Sequence, residues 1–305
     1  MTTEEQLQAK QGVLLAIAAY IMWGIAPIYF KTVAHVSALE ILSHRVVWSF
    51  VFLAVLMHSG RRWRGFVEIF RTKTKLVYML ATSLLIGCNW LVFIWAINAN
   101  HMLDASLGYY INPLINVVFG MLFLGERLRK MQWLAVFLAA CGVLIQLIAF
   151  GSVPMVAFAL AMTFALYGLL RKKVAVDAQT GLFIETLLLL PVAAIYLWQF
   201  ADSSTNNMFH NSWSLNWLLI AAGIVTTLPL LCFTGAATRL KLSTLGFFQY
   251  IGPSFMFVLA VAIYGETFSM DKAITFAFIW GALLIFSADG FAHSKKKRLQ
   301  AVNHP

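Results

Sequence analysis

Ten apolar runs separated by short polar stretches limit what this chain can fold into. They cover about 12–30, 39–58, 76–97, 106–124, 131–149, 154–170, 181–200, 215–237, 243–264 and 273–291. A helix needs roughly 20 apolar residues to cross the hydrocarbon core of a bilayer. Each run reaches or approaches that length. Composition agrees: 61% of the 305 residues are hydrophobic and only 11% are charged, where a soluble domain carries about 25% charge. The reading is an all-α integral membrane protein with ten transmembrane helices. The longest polar loops, 59–75 and 201–214, are too short to form domains. The opening "MTTEEQLQAKQG" lacks a basic stretch, and no small-residue cleavage site follows the first run. That run is expected to stay as a helix rather than to act as a signal peptide.

A net charge of +10 raises the possibility of nucleic acid, but its distribution points to a membrane instead. All of the 22 Lys and Arg except Lys31, Arg45 and Lys272 lie in alternate connections or tails: Lys10, 61–75, 127–130, 171–173, 239–241 and 295–298. The positive-inside bias makes these segments cytoplasmic, with both termini inside. Loop 201–214 has no Lys or Arg and is flanked by Trp198, Trp213 and Trp217, which suits an outer face with an aromatic belt. The basic tail "KKKR" reads as an anchor on anionic lipid heads. Cys88, Cys141 and Cys232 fall within spans, with neither metal-ligand nor disulfide spacing, and read as small apolar core residues.

The chain also matches itself. In "LGYYINPLINVVFGMLFLGERL" (107–128), Pro113 precedes Gly125-Glu126; in "LGFFQYIGPSFMFVLAVAIYGETF" (245–268), Pro253 precedes Gly265-Glu266 at the same spacing. Trp23 to Lys31 likewise has the spacing of Phe164 to Lys172. Residues 1–150 and 151–305 are therefore expected to be two five-helix repeats. Five is odd, so the second copy would enter the membrane inverted. Such pairs recur in secondary transporters, with the substrate site near the midplane between them.

Several stretches together resemble the drug/metabolite transporter superfamily, in its EamA family and most closely the RarD type, often labelled chloramphenicol-sensitive. They are "GVLLAIAAYIMWGIAPIYFK", "EILSHRVVWSF", "GCNWLVFIWAIN", "LGYYINPLINVVFG", "LGERLRKMQWLAV", "YGLLRKK", "AAGIVTTLPLLCFTGAATRL" and "LSTLGFFQYIGP". The resemblance implies a ten-span exporter or permease for small metabolites in a bacterial cytoplasmic (inner) membrane.

Polar groups in hydrocarbon face the bundle or a water-filled cavity. Gly108, Asn112, Asn116 and Gly120 recur every four residues and share one slowly drifting face. Such a stripe suits close helix packing, or a substrate path next to the carbonyl that Pro113 leaves free. The third span adds Asn89, Trp90 and Trp95, the fourth Tyr110, and the ninth Gln249, Tyr250 and Pro253. Aromatics with a few amides suit a moderately apolar, uncharged or zwitterionic ligand. These residues are the expected substrate site: Asn89, Trp90, Trp95, Tyr110, Asn112, Asn116, Gln249 and Tyr250. Candidates for coupling or gating are Glu40, His44, Arg45, Glu185, Pro113 and Pro253. Arg45 suits snorkelling toward the membrane surface. Glu185 suits pairing with Arg171, Lys172 or Lys173, or proton coupling. Both prolines are expected to loosen their helices. Two stripes of small residues, Ala157–Ala161–Ala165 and Ala273–Ala277–Gly281, read as close packing.

A secondary transporter of a small metabolite or drug-like molecule by alternating access is the leading function, with protons as a candidate coupling ion. A membrane-embedded structural or assembly protein is the alternative. An enzyme would need a clustered acid, base and nucleophile or a metal set, and only Glu40 with His44 has helical ligand spacing. No cofactor or metal is expected. The sequence lacks GxxxxGK[ST], so it offers no phosphate-binding loop for ATP-driven pumping.

Overall fold

The computed structural model describes residues 3–98, 102–151, 154–201, 205, 207–263 and 270–303. Among these, the regular elements are helices: α1 (Thr3–Thr32), α2 (Ala38–Ser59), α3 (Trp63–Arg71), α4 (Lys73–Asn98), α5 (Met102–Leu124), α6 (Lys130–Phe150), α7 (Met155–Val174), α8 (Ala178–Ile195), α9 (Trp213–Arg239), α10 (Leu242–Gln249), α11 (Ile251–Ala262) and α12 (Met270–Asn303). A π-helical turn, Tyr196–Phe200, extends α8. Within the described residues, nine helices are long and apolar enough to span a membrane. The remaining apolar run is present as α10 and α11.

That interruption departs from the expectation of two equally loosened helices. α5 continues through Pro113, whereas the helix containing Pro253 breaks at Tyr250. Each proline lacks the N–H that would bond four residues back. In α5, Asn112 beside the proline donates to Ala161 O of α7 at 2.6 Å and holds the segment against its neighbour. Before Pro253 stands Gly252, itself a weak helix former. The matching Gly265-Glu266 pair lies outside the described residues, as does Ser204 of the loop expected on the outer face.

Loop 59–75 contains an amphipathic helix that was not expected. Trp63, Phe66 and Phe70 recur at helical spacing on α3, and the rings of Trp63 and Phe66 each lie 5.6 Å from Phe183 of α8. The exposed Trp198, Trp213 and Trp217 surround loop 201–214. The three cysteines are free, and Cys88 is exposed rather than in the core.

Helices pack mainly across the two halves of the chain: α1 on α9 and α11, α2 on α8 and α9, α4 on α7 and α8, α5 on α7 and α10, and α6 on α12. Lipid is as apolar as the side chains, so close packing rather than the hydrophobic effect holds such helices together. A Cβ at Gly223 of α9 would strike the backbone of Trp48 and Ser49 in α2, and Ser49 Oγ donates to Gly223 O at 3.2 Å. A Cβ at Gly246 of α10 would sit 3.0 Å from Pro113 O. The stripe Ala157–Ala161–Ala165 is buried, and Gly108 approaches Ala157 O. The second stripe does not pack as expected. Ala277 is exposed and Gly281 has open space beside it, because Gly142 of α6 makes the close approach, against Thr275, Phe278 and Ile279.

Contacts between connections put the basic ends on one side of the bundle. Arg62 pairs with Asp177 at 3.2 Å, Arg129 Nε donates to Asp289 at 2.7 Å, and Arg239 Nε donates to Gln8 at 2.9 Å. Gly125 takes φ +62° after α5, which turns the chain as Glu126 N bonds back to Gly120 O at 2.9 Å. The Glu126 carboxylate then reaches across to α10. It accepts from Leu242 N at 2.6 Å, Ser243 N at 3.0 Å and Ser243 Oγ at 2.6 Å, and so caps that helix with negative charge.

Candidate functional site

A cavity of about 130 Å³ lies between the two halves, walled by α1, α2, α4, α5, α7, α9 and the α10–α11 break. One water needs about 10–15 Å³ of such space, so the cavity can be wet. Its walls use residues 20–30 of α1, Arg45 near the start of α2, residues 89–93 of α4, 108–112 of α5 and 160–164 of α7. These positions run from mid-bundle toward the end remote from the basic loops. Toward the basic loops the described residues make close contacts. Tyr20, Trp23, Phe164, Tyr167 and Phe233 form an aromatic cluster with centroid separations of 4.9–6.3 Å. Beyond it, Tyr20 Oη donates to Leu245 O at 3.2 Å, Lys172 Nζ donates to Ala237 O and Leu240 O, and Glu126 holds α10 to the end of α5.

Of the residues expected to bind substrate, Asn89, Trp90, Asn112 and Gln249 line this cavity. The two asparagines also stitch helices together. Asn89 Nδ2 donates to Leu160 O and Thr163 Oγ1, both at 2.9 Å. Asn112 Nδ2 donates to Ala161 O, and Asn116 Nδ2 donates to Asn112 Oδ1 at 2.9 Å. Packing and cavity lining were alternatives in the sequence; here one amide does both. Gln249 is buried with its Oε1 unpartnered by protein.

The other four expected residues are not on the cavity wall. Trp95 is 52% exposed, because the face of α4 that carries it turns outward. Asn116 sits one helical turn behind Asn112. Tyr110 stacks edge-on to Phe276 at 6.0 Å and accepts, through its carbonyl, a 3.2 Å bond from Tyr250 Oη. Tyr250 itself is fully buried among Phe247 and its neighbours.

Arg45 does not snorkel. It is 7% exposed and lines the cavity. Its Nε donates to Thr226 Oγ1 at 2.8 Å, and its guanidinium carbon lies 4.9 Å from the Trp90 ring and 5.5 Å from the Phe30 ring. These contacts to α9, α4 and α1 hold the head group inside, where cation–π attraction stands in for part of its hydration. Pro253 also lines the cavity, whereas Pro113 faces Gly246.

Glu185 is 1% exposed on α8 and faces Arg171, the closest N–O separation being 3.6 Å. Tyr167 Oη donates to its Oε2 at 3.2 Å. A narrow void beside Glu185 shares Trp90, Thr226 and Leu230 with the main cavity. Glu40 is buried at the start of α2 and accepts from Thr205 Oγ1 at 3.1 Å. One turn on, buried His44 has no hydrogen-bond partner at either ring nitrogen among the described residues.

Sequence reasoning missed Tyr20, Trp23, Phe30, Tyr109 and Thr226 as lining residues. One signal was available: Trp23 and Phe164 hold matching places in the two halves, and their rings meet at 5.7 Å.

Residues 10–148 match the EamA-like transporter family. An uncharacterized transporter of Vibrio cholerae is 72% identical over 288 residues, covering 94% of this chain and 95% of that one. Protein RarD of Escherichia coli is 64% identical over 282 residues, covering 92% and 95%. A solved crystal structure superposes with a TM-score of 0.69 at 18% identity, over 90% of this chain and 96% of its own, and shares the fold. On these matches the chain is a multi-pass bacterial membrane protein that belongs to the EamA-like transporter family, in the RarD type of the drug/metabolite transporters.

Proposed function

We propose that this chain is a secondary transporter of a small organic solute that works by alternating access, with 1–150 and 151–305 as inverted five-helix repeats and both termini cytoplasmic. The observation that carries the reading is the one-sided cavity. It lies between the halves, and the described residues make close contacts on the side of the basic loops. A state closed toward the cytoplasm has that form.

The helix pairing supports the repeat. Exchanging the first span with the sixth, the second with the seventh and so on turns the α1–α9 contact into α4–α7, and α1–α11 into α5–α7. The α2–α8, α5–α10 and α6–α12 contacts map onto themselves. Such pairing lets the halves trade conformations and carry the opening from one side to the other.

Single cysteines in a thiol-free background test this. Those at Lys73 and Ser212, both exposed, are expected to label from opposite sides of the membrane. A cysteine at Asn89 is expected to react with small water-soluble reagents added on the Ser212 side, and one at Val118, on an outward-facing wall, to stay inert. Labelling of Lys73 and Ser212 from the same side would refute the topology. Inertness at Asn89 would refute the cavity.

A further inference from the structure

We infer that the transported solute is a small organic anion, a monocarboxylate with an aromatic or apolar body, and that Arg45 is the residue that selects it. The inference rests on the transport reading and names its substrate class.

Among the described residues, Arg45 is the one charged side chain lining the cavity. No carboxylate of the described residues lies within ion-pair distance of it. A cation within a membrane bundle is costly unless something neutralises it. Structural arginines in such places sit against an acid, as Arg171 sits against Glu185. Among the described residues the partners of Arg45 are neutral: the Thr226 hydroxyl, two ring faces, and the side chains of Tyr29 and Tyr109, which lie close enough to feel its charge.

The hydroxyl and ring-face contacts also orient it. The rings of Phe30 and Trp90 approach the guanidinium, and Thr226 takes the Nε–H. The two terminal NH₂ groups form no hydrogen bond with the described residues, and neither is an enclosed, partnerless nitrogen. A planar fork held by its stem and open at its tip is the donor arrangement that takes a carboxylate through two parallel bonds. The remaining wall is largely apolar and aromatic, with Trp23, Phe93 and Phe164 near the amides of Asn89, Asn112 and Gln249. An apolar or aromatic body fits that wall. A cationic solute would meet Arg45 with no acid on the wall to offset the repulsion. This replaces the uncharged or zwitterionic ligand expected from the amides and aromatics alone.

The test is a binding panel on purified protein in nanodiscs, read by quenching of tryptophan fluorescence and by thermal shift, since a ligand of the folded state raises its apparent stability. The probes share a benzyl body: phenylacetate, benzyl alcohol and benzylamine, with chloride and acetate as small anions. Phenylacetate is expected to bind at least tenfold more tightly than benzyl alcohol, and benzylamine is expected not to bind. Arg45→Gln should abolish the preference. Arg45→Lys, which keeps charge but loses the fork, should retain only part of it. Thr226→Val leaves the charge in place and should weaken phenylacetate alone, which keeps the test informative if Arg45→Gln does not fold. Equal binding of phenylacetate and benzyl alcohol, tighter binding of benzylamine, or no binding by phenylacetate would overturn the inference. The transport reading fails separately: phenylacetate binding with Asn89 labelled equally from both sides at all times would leave Arg45 as an anion site in a protein that does not alternate.

Discussion

Replacing Arg171 by methionine is expected to lower the stability of the fold by about 3–5 kcal/mol, the usual consequence of removing one partner from a buried ion pair. Arg171 and Glu185 are each 1% exposed. They stand where α7, α8 and α4 meet, with Met79 and Gly181 against the guanidinium. The geometry is incomplete: among the described residues, Arg171 Nε and Nη2 and Glu185 Oε1 have no hydrogen-bond partner. Neither charge is therefore well compensated once the other is gone. Arg171→Met combined with Glu185→Gln removes both charges, keeps an acceptor for Tyr167, and should recover most of the loss. Melting curves in detergent would measure both variants. A single Arg171→Met variant within 1 kcal/mol of wild type would show that no separated charges are held there.

The same pair bears on coupling. We propose that Glu185 takes up and releases a proton during transport, because its void adjoins the main cavity at Trp90 and Thr226. Protonation would release Arg171 and loosen the contact between α7 and α8. In proteoliposomes, the protein-dependent part of phenylacetate uptake, after subtracting protein-free liposomes under the same imposed pH gradient, should respond to that gradient in wild type and not in Glu185→Gln. An unchanged response would remove Glu185 from the mechanism. Glu40, bonded to Thr205 near the other end of the bundle, is the weaker candidate.

The helical architecture was legible because hydrocarbon enforces it: a run of the right length and apolarity has few other folds open to it. The matched prolines were legible as spacing, but not their different outcomes. What separates them is in part local, Gly252 before Pro253, and in part the bond from Asn112 to α7, a partner across helices that is not written in local sequence. The cavity lining was half legible for a similar reason. Asn89, Asn112 and Gln249 announce themselves as amides in apolar runs. Tyr20, Trp23 and Phe30 look like any aromatic in a greasy helix. Arg45 was visible but its direction was open, because an arginine seven residues into a span can reach the surface by extension. Only the positions of Thr226, Trp90 and Phe30, which are far apart in sequence, fix it inward.

Replacing Glu126 by glutamine is expected to open the basic-loop side of the bundle. In the structure its carboxylate accepts three bonds from Leu242 and Ser243. It also places negative charge at the first turn of α10, where backbone N–H groups lack helical partners. Glutamine retains one acceptor oxygen and no charge. Hydrogen bonds to a charged group contribute about 1.5–3 kcal/mol each, so a net loss of about 2 kcal/mol is a reasonable expectation, roughly a 30-fold change in the ratio of closed to open forms. α10 is free to respond because the chain breaks at Tyr250, next to Gly252-Pro253. α5 continues through Pro113, so Pro113→Ala should move the ratio far less than Glu126→Gln does. Spin labels at Lys130 and Lys241 would report the basic-side mouth, and labels at His35 and Ser212 the opposite one; all four positions are exposed. In Glu126→Gln the first distance should lengthen as the second shortens, because closing one mouth is how alternating access opens the other. Ser243→Ala removes one of the three bonds and should give a smaller shift in the same direction. If both distances lengthen together, the substitution has only loosened the packing. If neither changes, the Glu126 contact is a helix cap and not a latch.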